Sequence, residues 1–138
     1  MPANLIPAIF HAARELDRSL QPLCRRNGVT ITEAHLLAHL RAAGPCRTGE
    51  LQRLFGFKPS TFTSVLDRLV EKRTITRKAH PKDRRSVLIA LTGEGRAIAD
   101  RLQQTFDRTE RTVSARSHTG DFTNFSAVLT ALTQSSAS

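Results

Sequence analysis

The sequence predicts a mainly α-helical fold with one small β-hairpin. Apolar residues recur at steps of three or four over most of the 138-residue chain, which is the spacing of one helix face. The period changes to two between Thr74 and Thr92, where β-branched residues become frequent. Glycine, proline and asparagine mark the boundaries between these stretches. The length predicts a single domain covering residues 1–138.

The first two helices are predicted from an apolar stripe and from cap residues. Residues 5–24 carry the first stripe, and the Asn-Gly pair at 27–28 ends it in the manner of a left-handed C-cap. Thr30 and Glu33 have the spacing of a capping box, so the second helix is expected to begin there. The Gly-Pro pair at 44–45 breaks that helix. Its predicted inward residues are Ala34, Leu37 and Leu40.

The third and fourth helices are short and are joined by a turn at Gly56. Thr48 is predicted to cap the third helix. The residues expected on its buried face are Leu51, Leu54 and Phe55. The fourth helix is expected to begin at Pro59 or Ser60, and it has the clearest helical stripe in the chain. The inward residues of that stripe are Phe62, Val65, Leu66, Leu69 and Val70.

Two strands and two further helices complete the predicted order. Residues 74–78 and 86–92 alternate in polarity, and the polar segment 79–85 between them is predicted to be the turn of a β-hairpin. Residues 93–117 return to helical spacing. The apolar residues that predict a last helix are Phe122, Phe125, Val128, Leu129 and Leu132.

This order predicts a winged helix-turn-helix at about residues 30–92. Two helices joined by a short glycine-containing turn and followed by a hairpin are typical of that fold. The flanking helices, at about residues 3–27 and 93–135, carry apolar stripes that such a small module does not cover. We expect them to form the interface of a two-fold dimer. The alternative is that they extend the core of a monomer.

The positive charge is concentrated in the predicted winged helix-turn-helix. The chain has 21 basic and 12 acidic residues, a net charge of +9 and a pI of ≈ 11.2. Residues 46–92 alone contain eleven basic and four acidic residues, so +7 of the charge lies there. Such a surface favours an anionic partner, above all nucleic acid. The chain lacks Trp and Tyr, which disfavours stacking on single strands and favours a duplex.

Several classes of protein are disfavoured by the same sequence. It has no apolar run long enough to cross a membrane and no signal-peptide pattern, so we expect a cytoplasmic protein without a membrane partner. Two cysteines do not make a disulfide framework. No catalytic constellation or phosphate-binding loop is visible, so neither an enzyme nor a cofactor is expected. His35 and His39 have i, i+4 spacing but lack further ligands, which favours surface histidines over a metal site.

Two groups of polar residues form the candidate DNA-binding site. Small hydroxyl residues on the outward face of the fourth helix suit close approach to phosphates and base edges. Cations on the hairpin suit phosphates and a narrow minor groove, and Asp83 is expected to hold the Arg85 guanidinium as a bidentate pair. The alternatives are a solvated helix face, a hairpin whose charges protect its edge, and a plain turn aspartate. The candidate residues are Ser60, Thr61, Thr63, Ser64, Arg68, Arg77, Lys78, Lys82, Asp83, Arg84 and Arg85.

Cys24 and Cys46 are candidate oxidation sensors. Arg25 and Arg26 favour the thiolate of Cys24, whereas the predicted helix C-terminus nearby disfavours it. Cys46 is placed beside Arg47 in the loop before the third helix. Buried, inert thiols are commoner than sensors, so we favour the inert alternative for both.

The segments 51–70, 75–78 and 83–95 resemble the MarR family of bacterial transcription regulators. The most specific part is the Asp-x-Arg at 83–85, followed by an alternating strand, Leu-Thr and Gly-x-Gly. The resemblance implies a winged-helix homodimer whose first and last two helices form the interface. It also implies that the helix at about 59–73 enters the major groove and that Arg85, oriented by Asp83, reaches the minor groove. Many members release DNA when a small aromatic or phenolic ligand binds, and others when a cysteine is oxidised.

One position departs from that family. Similar proteins carry Gly-Leu just before the first strand of the hairpin, where this chain has Arg73 and Thr74. Glycine is favoured there because the helix cap needs a positive φ. Arg73 is therefore expected either to adopt a left-handed conformation at some strain or to end the helix in another way.

The residues and the resemblance together predict a sequence-specific regulator of transcription that binds double-stranded DNA at a pseudo-palindromic operator. We expect a repressor that a small ligand releases. The alternatives are a cysteine-based redox-sensing regulator and a winged-helix module that binds protein or RNA.

Overall fold

The structure, a computed structural model, describes residues 4–117 and 123–135. The chain divides into two compact units, with the boundary between Gln104 and Thr105. Phe122, which belongs to the predicted stripe of the last helix, and residue 3 lie outside the described residues. The elements in chain order are α1 (Leu5–Asn27), α2 (Ile31–Ala43), β1 (Cys46–Arg47), α3 (Thr48–Phe55), α4 (Pro59–Glu71), β2 (Ile75–His80), β3 (Asp83–Leu91), α5 (Gly93–Arg116) and α6 (Thr123–Ser135).

The predicted fold class is confirmed. The described residues are mainly helical, and their strands form one small antiparallel sheet in the order β1-β3-β2. Strand β1 was not predicted, because two residues are too few to show an alternating pattern. Cys46 and Arg47 form a strand only through their partners on β3, which are Ile89 and Leu88.

The core of the first unit takes side chains from all of its helices and from the sheet. The predicted inward residues of α2 are all buried, as are four of the five on α4. Burial of each of the Leu, Val and Phe side chains among them stabilises the fold by roughly 1.5–3 kcal/mol. The largest fully buried side chains are Phe62, Leu36, Leu37, Leu40, Leu51, Leu66, Leu69, Ile75, Ile89, Leu102, Glu33 and Cys24.

Three predictions about α3 and α4 are wrong. Thr48 is the first residue of α3 and not its cap, and its hydroxyl donates a hydrogen bond to the Val87 carbonyl oxygen. Leu54 is 61% exposed, and of the three residues predicted for the buried face of α3 only Leu51 is fully buried, while Phe55 is half-buried. Val70 is partly exposed, since eight positions along a helix turn it about 80° away from Phe62.

The hairpin has longer strands and a tighter turn than the sequence predicted. Strands β2 and β3, which together form the wing, extend into the segment predicted as turn, so only residues 81–82 separate them. Ala79 pairs with Val87 and His80 pairs with Asp83. Residues 84–86 of β3 therefore have no counterpart on β2 and form a bulge.

Helix α4 ends with an arginine in the left-handed conformation. Arg73 has φ 58° and is the one non-glycine residue with a positive φ among those that the structure describes. Its N–H bonds to the Val70 carbonyl, and the N–H of Thr74 bonds to the Leu69 carbonyl. These two bonds make a Schellman motif, which normally has glycine at this position. Of the two outcomes left open by the sequence, the strained one is therefore the outcome observed.

Replacing this arginine by glycine is expected to stabilise the protein. Arg73→Gly removes a left-handed conformation that costs an L-residue about 1–2 kcal/mol, less the entropy that glycine loses on folding. We expect the free energy of unfolding to rise by about 0.5–1 kcal/mol in urea denaturation. Arg73→Ala is the control, because alanine keeps the strain. A gain in Arg73→Ala equal to that in Arg73→Gly would contradict the explanation.

Thr92 joins the wing to the start of α5. Its N–H bonds to the Thr74 carbonyl at 3.0 Å, and its hydroxyl donates to the Arg73 carbonyl at 2.6 Å. The same hydroxyl accepts the N–H of Gly95 at 3.0 Å, as an N-cap does. Gly95 is buried against Thr74, and the helix and the wing therefore approach each other closely there.

Apolar side chains remain exposed in each unit of the single chain. On α1 these are Leu5, Ile6, Phe10 and Leu16. In the second unit they are Val113, Phe125, Val128 and Leu129. None of the helices in the described ranges is long and apolar enough to cross a membrane.

Candidate nucleic-acid interface

The outer face of α4 is a row of exposed small hydroxyl residues. Ser60, Thr61, Thr63 and Ser64 are all exposed, as predicted from the stripe. The Thr63 hydroxyl donates to the Pro59 carbonyl and the Ser64 hydroxyl to the Ser60 carbonyl. These bonds leave the oxygen lone pairs directed outward as acceptors. The start of α4 has no side-chain cap, so its first N–H groups are also available to an anion.

Glu33 fixes α4 to the start of α2. Its side chain is fully buried, and its carboxylate accepts the Thr30 N–H at 3.3 Å as part of the predicted capping box. The same carboxylate lies 2.6 Å from the Lys72 Nζ and 3.4 Å from the Arg68 Nε, both on the last turns of α4 or just after it. From the sequence alone, Glu33 is recognisable only as a cap residue of α2. Its long-range partners lie 35 and 39 residues away, which no local pattern shows.

Two of the predicted DNA-binding cations have partners within the chain. Arg68 is half exposed and holds Glu33 through its Nε atom. The Nη2 atom of Arg77 lies 2.6 Å from Asp67 Oδ1, so this pair connects β2 to α4. Both partners of the Arg77–Asp67 pair are partly exposed, so this pair fixes the direction of the guanidinium more than it adds stability.

The outer face of the sheet presents a basic row. Leu88 pairs with Arg47 on one side and with Lys78 on the other. Opposed residues of an antiparallel sheet point to the same face, so both cations project from the face opposite buried Ile89. The other predicted cations of the wing are also exposed, and they are Lys82, Arg84 and Arg85.

Asp83 shapes the bulge of the wing. Its Oδ1 accepts the Arg85 backbone N–H at 3.0 Å, and its Oδ2 accepts the Ser86 hydroxyl at 3.0 Å. The predicted bidentate pair with the Arg85 guanidinium is therefore wrong, because the carboxylate is engaged as a turn aspartate. The Arg85 N–H, with the Ser86 hydroxyl, lowers the pKa of Asp83 below its ordinary value, and the charge of Arg47 adds to this.

Arg47 is a member of this surface that the sequence analysis did not select. It lines a surface cavity of ≈ 390 Å³ between the start of α3 and β3. Arg53 and Arg85 line the same cavity, together with Glu50. The sequence shows Arg47 only as one cation among eleven, since the pairing that places it on the sheet is not local.

Neither cysteine has the environment of a reactive thiolate. Cys24 and Cys46 are buried and free. Burial raises the pKa of Cys24 most, and the negative charge of Asp17 adds to this. Burial also raises the pKa of Cys46, whose thiol donates to the Gly44 carbonyl. Thiols of this kind stay protonated at neutral pH, which favours the inert alternative for both.

The two histidines at helical spacing have separate partners. His35 Nε2 lies 2.8 Å from Asp17 Oδ1 on α1. His39 contacts the edge of the Phe55 ring and lies 3.9 Å from the Cys46 sulfur. No group of three or more potential metal ligands occurs among the residues described here.

The sequence of this chain is similar to a known protein family and to characterised proteins. The model of the MarR family matches residues 29–87, which run from the start of α2 into β3 and include α3, α4 and β2. The multiple antibiotic resistance protein MarR of Salmonella typhimurium is 32% identical over 96 residues, covering 70% of this chain and 67% of that protein. The transcriptional repressor MdtR of Bacillus subtilis is 37% identical over 96 residues, covering 67% of this chain and 62% of the relative.

Solved structures agree in fold. A mutant of MepR from a multidrug resistant S. aureus clinical isolate matches with a TM-score of 0.80 and 20% identity, over 98% of this chain and 99% of that one. A mutant of E. coli MarR, complexed with operator DNA, matches with a TM-score of 0.72 and 24% identity, over 96% and 98%. The structures establish the common fold, and the sequence relatives establish the kinship. This chain belongs to the MarR family, whose members compared here are transcription regulators and not enzymes.

Proposed function

We propose that this regulator is a repressor that binds a pseudo-palindromic operator duplex as a homodimer. The observation that carries the proposal is the placement of two surfaces in one unit. The exposed hydroxyl face of α4 and the basic wing belong to the same unit, and the Arg77–Asp67 ion pair connects β2 of the wing to α4. Solved complexes of MarR and MepR with DNA, which share this fold, support the same use of the surface.

In this proposal the two surfaces have different tasks. Helix α4 enters the major groove, where Ser60, Thr61, Thr63, Ser64 and Arg68 contact phosphates and base edges. The wing lies along the adjacent backbone and minor groove, where negative potential attracts arginine. The wing residues with this role are Arg77, Lys78, Lys82, Arg84 and Arg85, with Asp83 holding the bulge that carries the arginines.

The homodimer is supported by the apolar side chains that the single chain leaves exposed. Phe10 of α1 is 63% exposed, and α6 carries a further apolar group in the second unit. Large apolar side chains that a single chain leaves exposed in this way favour an interface with a second copy. A two-fold dimer would present two α4 helices to half-sites one DNA turn apart, about 34–36 Å. Size-exclusion chromatography with light scattering tests this, and a monomer would contradict it.

Two parts of the proposal rest on the family resemblance. Release of the DNA by a small aromatic or phenolic ligand is implied by the resemblance, and a cytoplasmic location is supported by the similarity to transcription regulators. The high thiol pKa values of Cys24 and Cys46 favour a ligand over cysteine oxidation as the releasing signal. Operator release by phenolic compounds and by peroxide, each tested with and without Cys→Ser replacement at both positions, separates the two signals.

The role of the wing is tested by Arg85→Ala. The operator is first selected from genomic fragments by its binding to the protein. Removing the guanidinium is expected to weaken binding by about 1–3 kcal/mol, or roughly 5- to 150-fold in Kd. Fluorescence anisotropy with the selected duplex measures this. Arg18→Ala on α1, which removes an exposed arginine of the same charge, is the control. Equal affinities of Arg85→Ala and the control would refute the role of the wing.

A further inference from the structure

We propose that Arg47 and His80 form a seat for one backbone phosphate of the bound duplex. The two residues come from β1 and from the end of β2, and they meet beside the bulge of the wing. The inference rests on the proposed function, and it adds Arg47 and His80 to the DNA-contacting residues named above. It starts from the hydrogen-bonding requirements of the His80 ring.

The two ring nitrogens of His80 have different tasks. The backbone N–H of Lys82 lies 3.1 Å from Nδ1 and donates to it. Nδ1 therefore presents its lone pair, and the neutral imidazole carries its proton on Nε2. The bond is local to the turn, so it fixes the ring orientation as well as the tautomer. Nε2 is consequently a hydrogen-bond donor that points away from the turn.

The Arg47 guanidinium brings a second hydrogen-bond donor close to the Nε2 donor of His80. Its Nη2 lies 3.4 Å from the His80 Nε2. A guanidinium has no acceptor, so two N–H groups face the same space and cannot bond to each other. An acceptor located between them would satisfy both. The arrangement is thus incomplete without an anion or another oxygen ligand.

The nearby carboxylate does not supply that acceptor. Asp83 contributes negative charge near Arg47 and His80. Its oxygens are engaged by the Arg85 N–H and the Ser86 hydroxyl. Among the described residues no ion pair joins Asp83 to Arg47 or His80. Asp83 therefore holds the bulge in place and leaves the two donors for an external ligand.

The cationic groups around Arg47 and His80 favour a phosphate of a nucleic-acid duplex as the ligand. Arg47 shares the outer face of the sheet with Lys78, and it shares its cavity of ≈ 390 Å³ with Arg85. A phosphodiester group presents two non-bridging oxygens, which match two donors about 3.4 Å apart. We therefore expect a DNA backbone that follows the wing to bring one phosphate to Arg47 and His80. Such a contact adds affinity and fixes register but does not distinguish sequences.

The test uses the full-length protein and two His80 variants that separate the ring nitrogens. In His80→Asn an amide oxygen replaces Nδ1 as the acceptor for Lys82, and the donor at the ε2 position is lost. In His80→Gln an amide N–H stands near the ε2 position. We expect His80→Asn to weaken duplex binding several-fold and His80→Gln to stay near the wild type. Binding is measured by anisotropy over a series of salt concentrations.

Arg47→Ala tests the other half of the seat. We expect about a tenfold loss of affinity, equal for operator and unrelated duplex, and a slope of log Kd against log salt that is smaller by about one. Arg18→Ala is the matched control and should keep the wild-type slope. Circular dichroism confirms that each variant is folded. A double variant of Arg47 and His80 is expected to lose less than the sum of the two single losses, because both contact one phosphate.

The outcomes distinguish this inference from the proposed function. Salt-dependent duplex binding that Arg47→Ala and His80→Asn leave unchanged would overturn the seat and leave the function standing. Absence of any duplex binding by the wild type would overturn both. The last experiment titrates the protein with inorganic phosphate at constant ionic strength and measures phosphate binding. Phosphate binding that depends on Arg47, with unchanged duplex affinity, would assign the site to a free anion and would also overturn the seat.

Discussion

Gly95→Ala is expected to lower the free energy of unfolding by about 3 kcal/mol. A Cβ atom at Gly95 would lie 2.9 Å from the carbonyl carbon of Thr74 and still closer to its oxygen. These are backbone atoms, and the Thr74 carbonyl also accepts the N–H of Thr92, so it has little freedom to move away. Overpacking of this kind costs about 1–3 kcal/mol, and a backbone obstacle places the cost at the upper end. Urea denaturation followed by circular dichroism measures the change.

Gly93→Ala is the matched control for that substitution. Gly93 precedes Gly95 by two residues in the first turn of α5, and a Cβ there would meet nothing within 4 Å. Alanine also favours the helix, so Gly93→Ala is expected to leave stability unchanged or slightly higher. If both alanine variants were equally stable, the close approach of α5 to Thr74 would not be the reason for glycine at position 95.

Glu33→Ala is expected to cost about 2–4 kcal/mol of stability. The change removes a fully buried carboxylate, half of a capping box and two charged partners on α4. Breaking a fully buried ion pair costs about 3–5 kcal/mol, but Lys72 and Arg68 are partly exposed and regain water, which reduces the cost. The lost cap and the cavity add to it. Thermal or urea unfolding of the variant gives the value.

Two comparisons separate the contributions to that loss. Glu71→Ala removes an exposed carboxylate from α4 and is expected to change stability by less than about 0.5 kcal/mol. Thr30→Ala removes only the cap hydroxyl and should cost about 1 kcal/mol. A loss in Glu33→Ala no greater than that in Thr30→Ala would show that the pairs with Lys72 and Arg68 contribute nothing to stability.

Local signals were sufficient for most of the fold. The caps at Thr30 and Gly28, the stripe of α4 and the switch to alternating polarity depend on residues close together in sequence, and all of them are present in the structure. The exposed hydroxyl face of α4 follows directly from that stripe. A local rule also identified Arg73 as the residue where a cap needs a positive φ, although it left open whether the arginine adopts that conformation, as it does.

The features that the sequence missed depend on long-range pairing. Strand β1 exists through its partners about 40 residues later, and Arg47 acquires its place on the sheet by the same pairing. Glu33 meets Lys72 only because α2 and α4 pack together. The role of Asp83 was misjudged for a different reason. A short carboxylate can bond to its own turn or to a guanidinium, and the sequence does not distinguish these two partners.

The bonds of Thr92 have a mechanical consequence. The Thr92 hydroxyl donates to the carbonyl of Arg73, just before β2, and so closes the base of the wing. The same hydroxyl accepts the Gly95 N–H in the first turn of α5. The base of the wing and the first turn of α5 are therefore coupled through the hydrogen bonds of Thr92. A small tilt of the first turn of α5 would therefore move the tip of the wing, about 20–25 Å away along β3, farther than it moves the base of the wing.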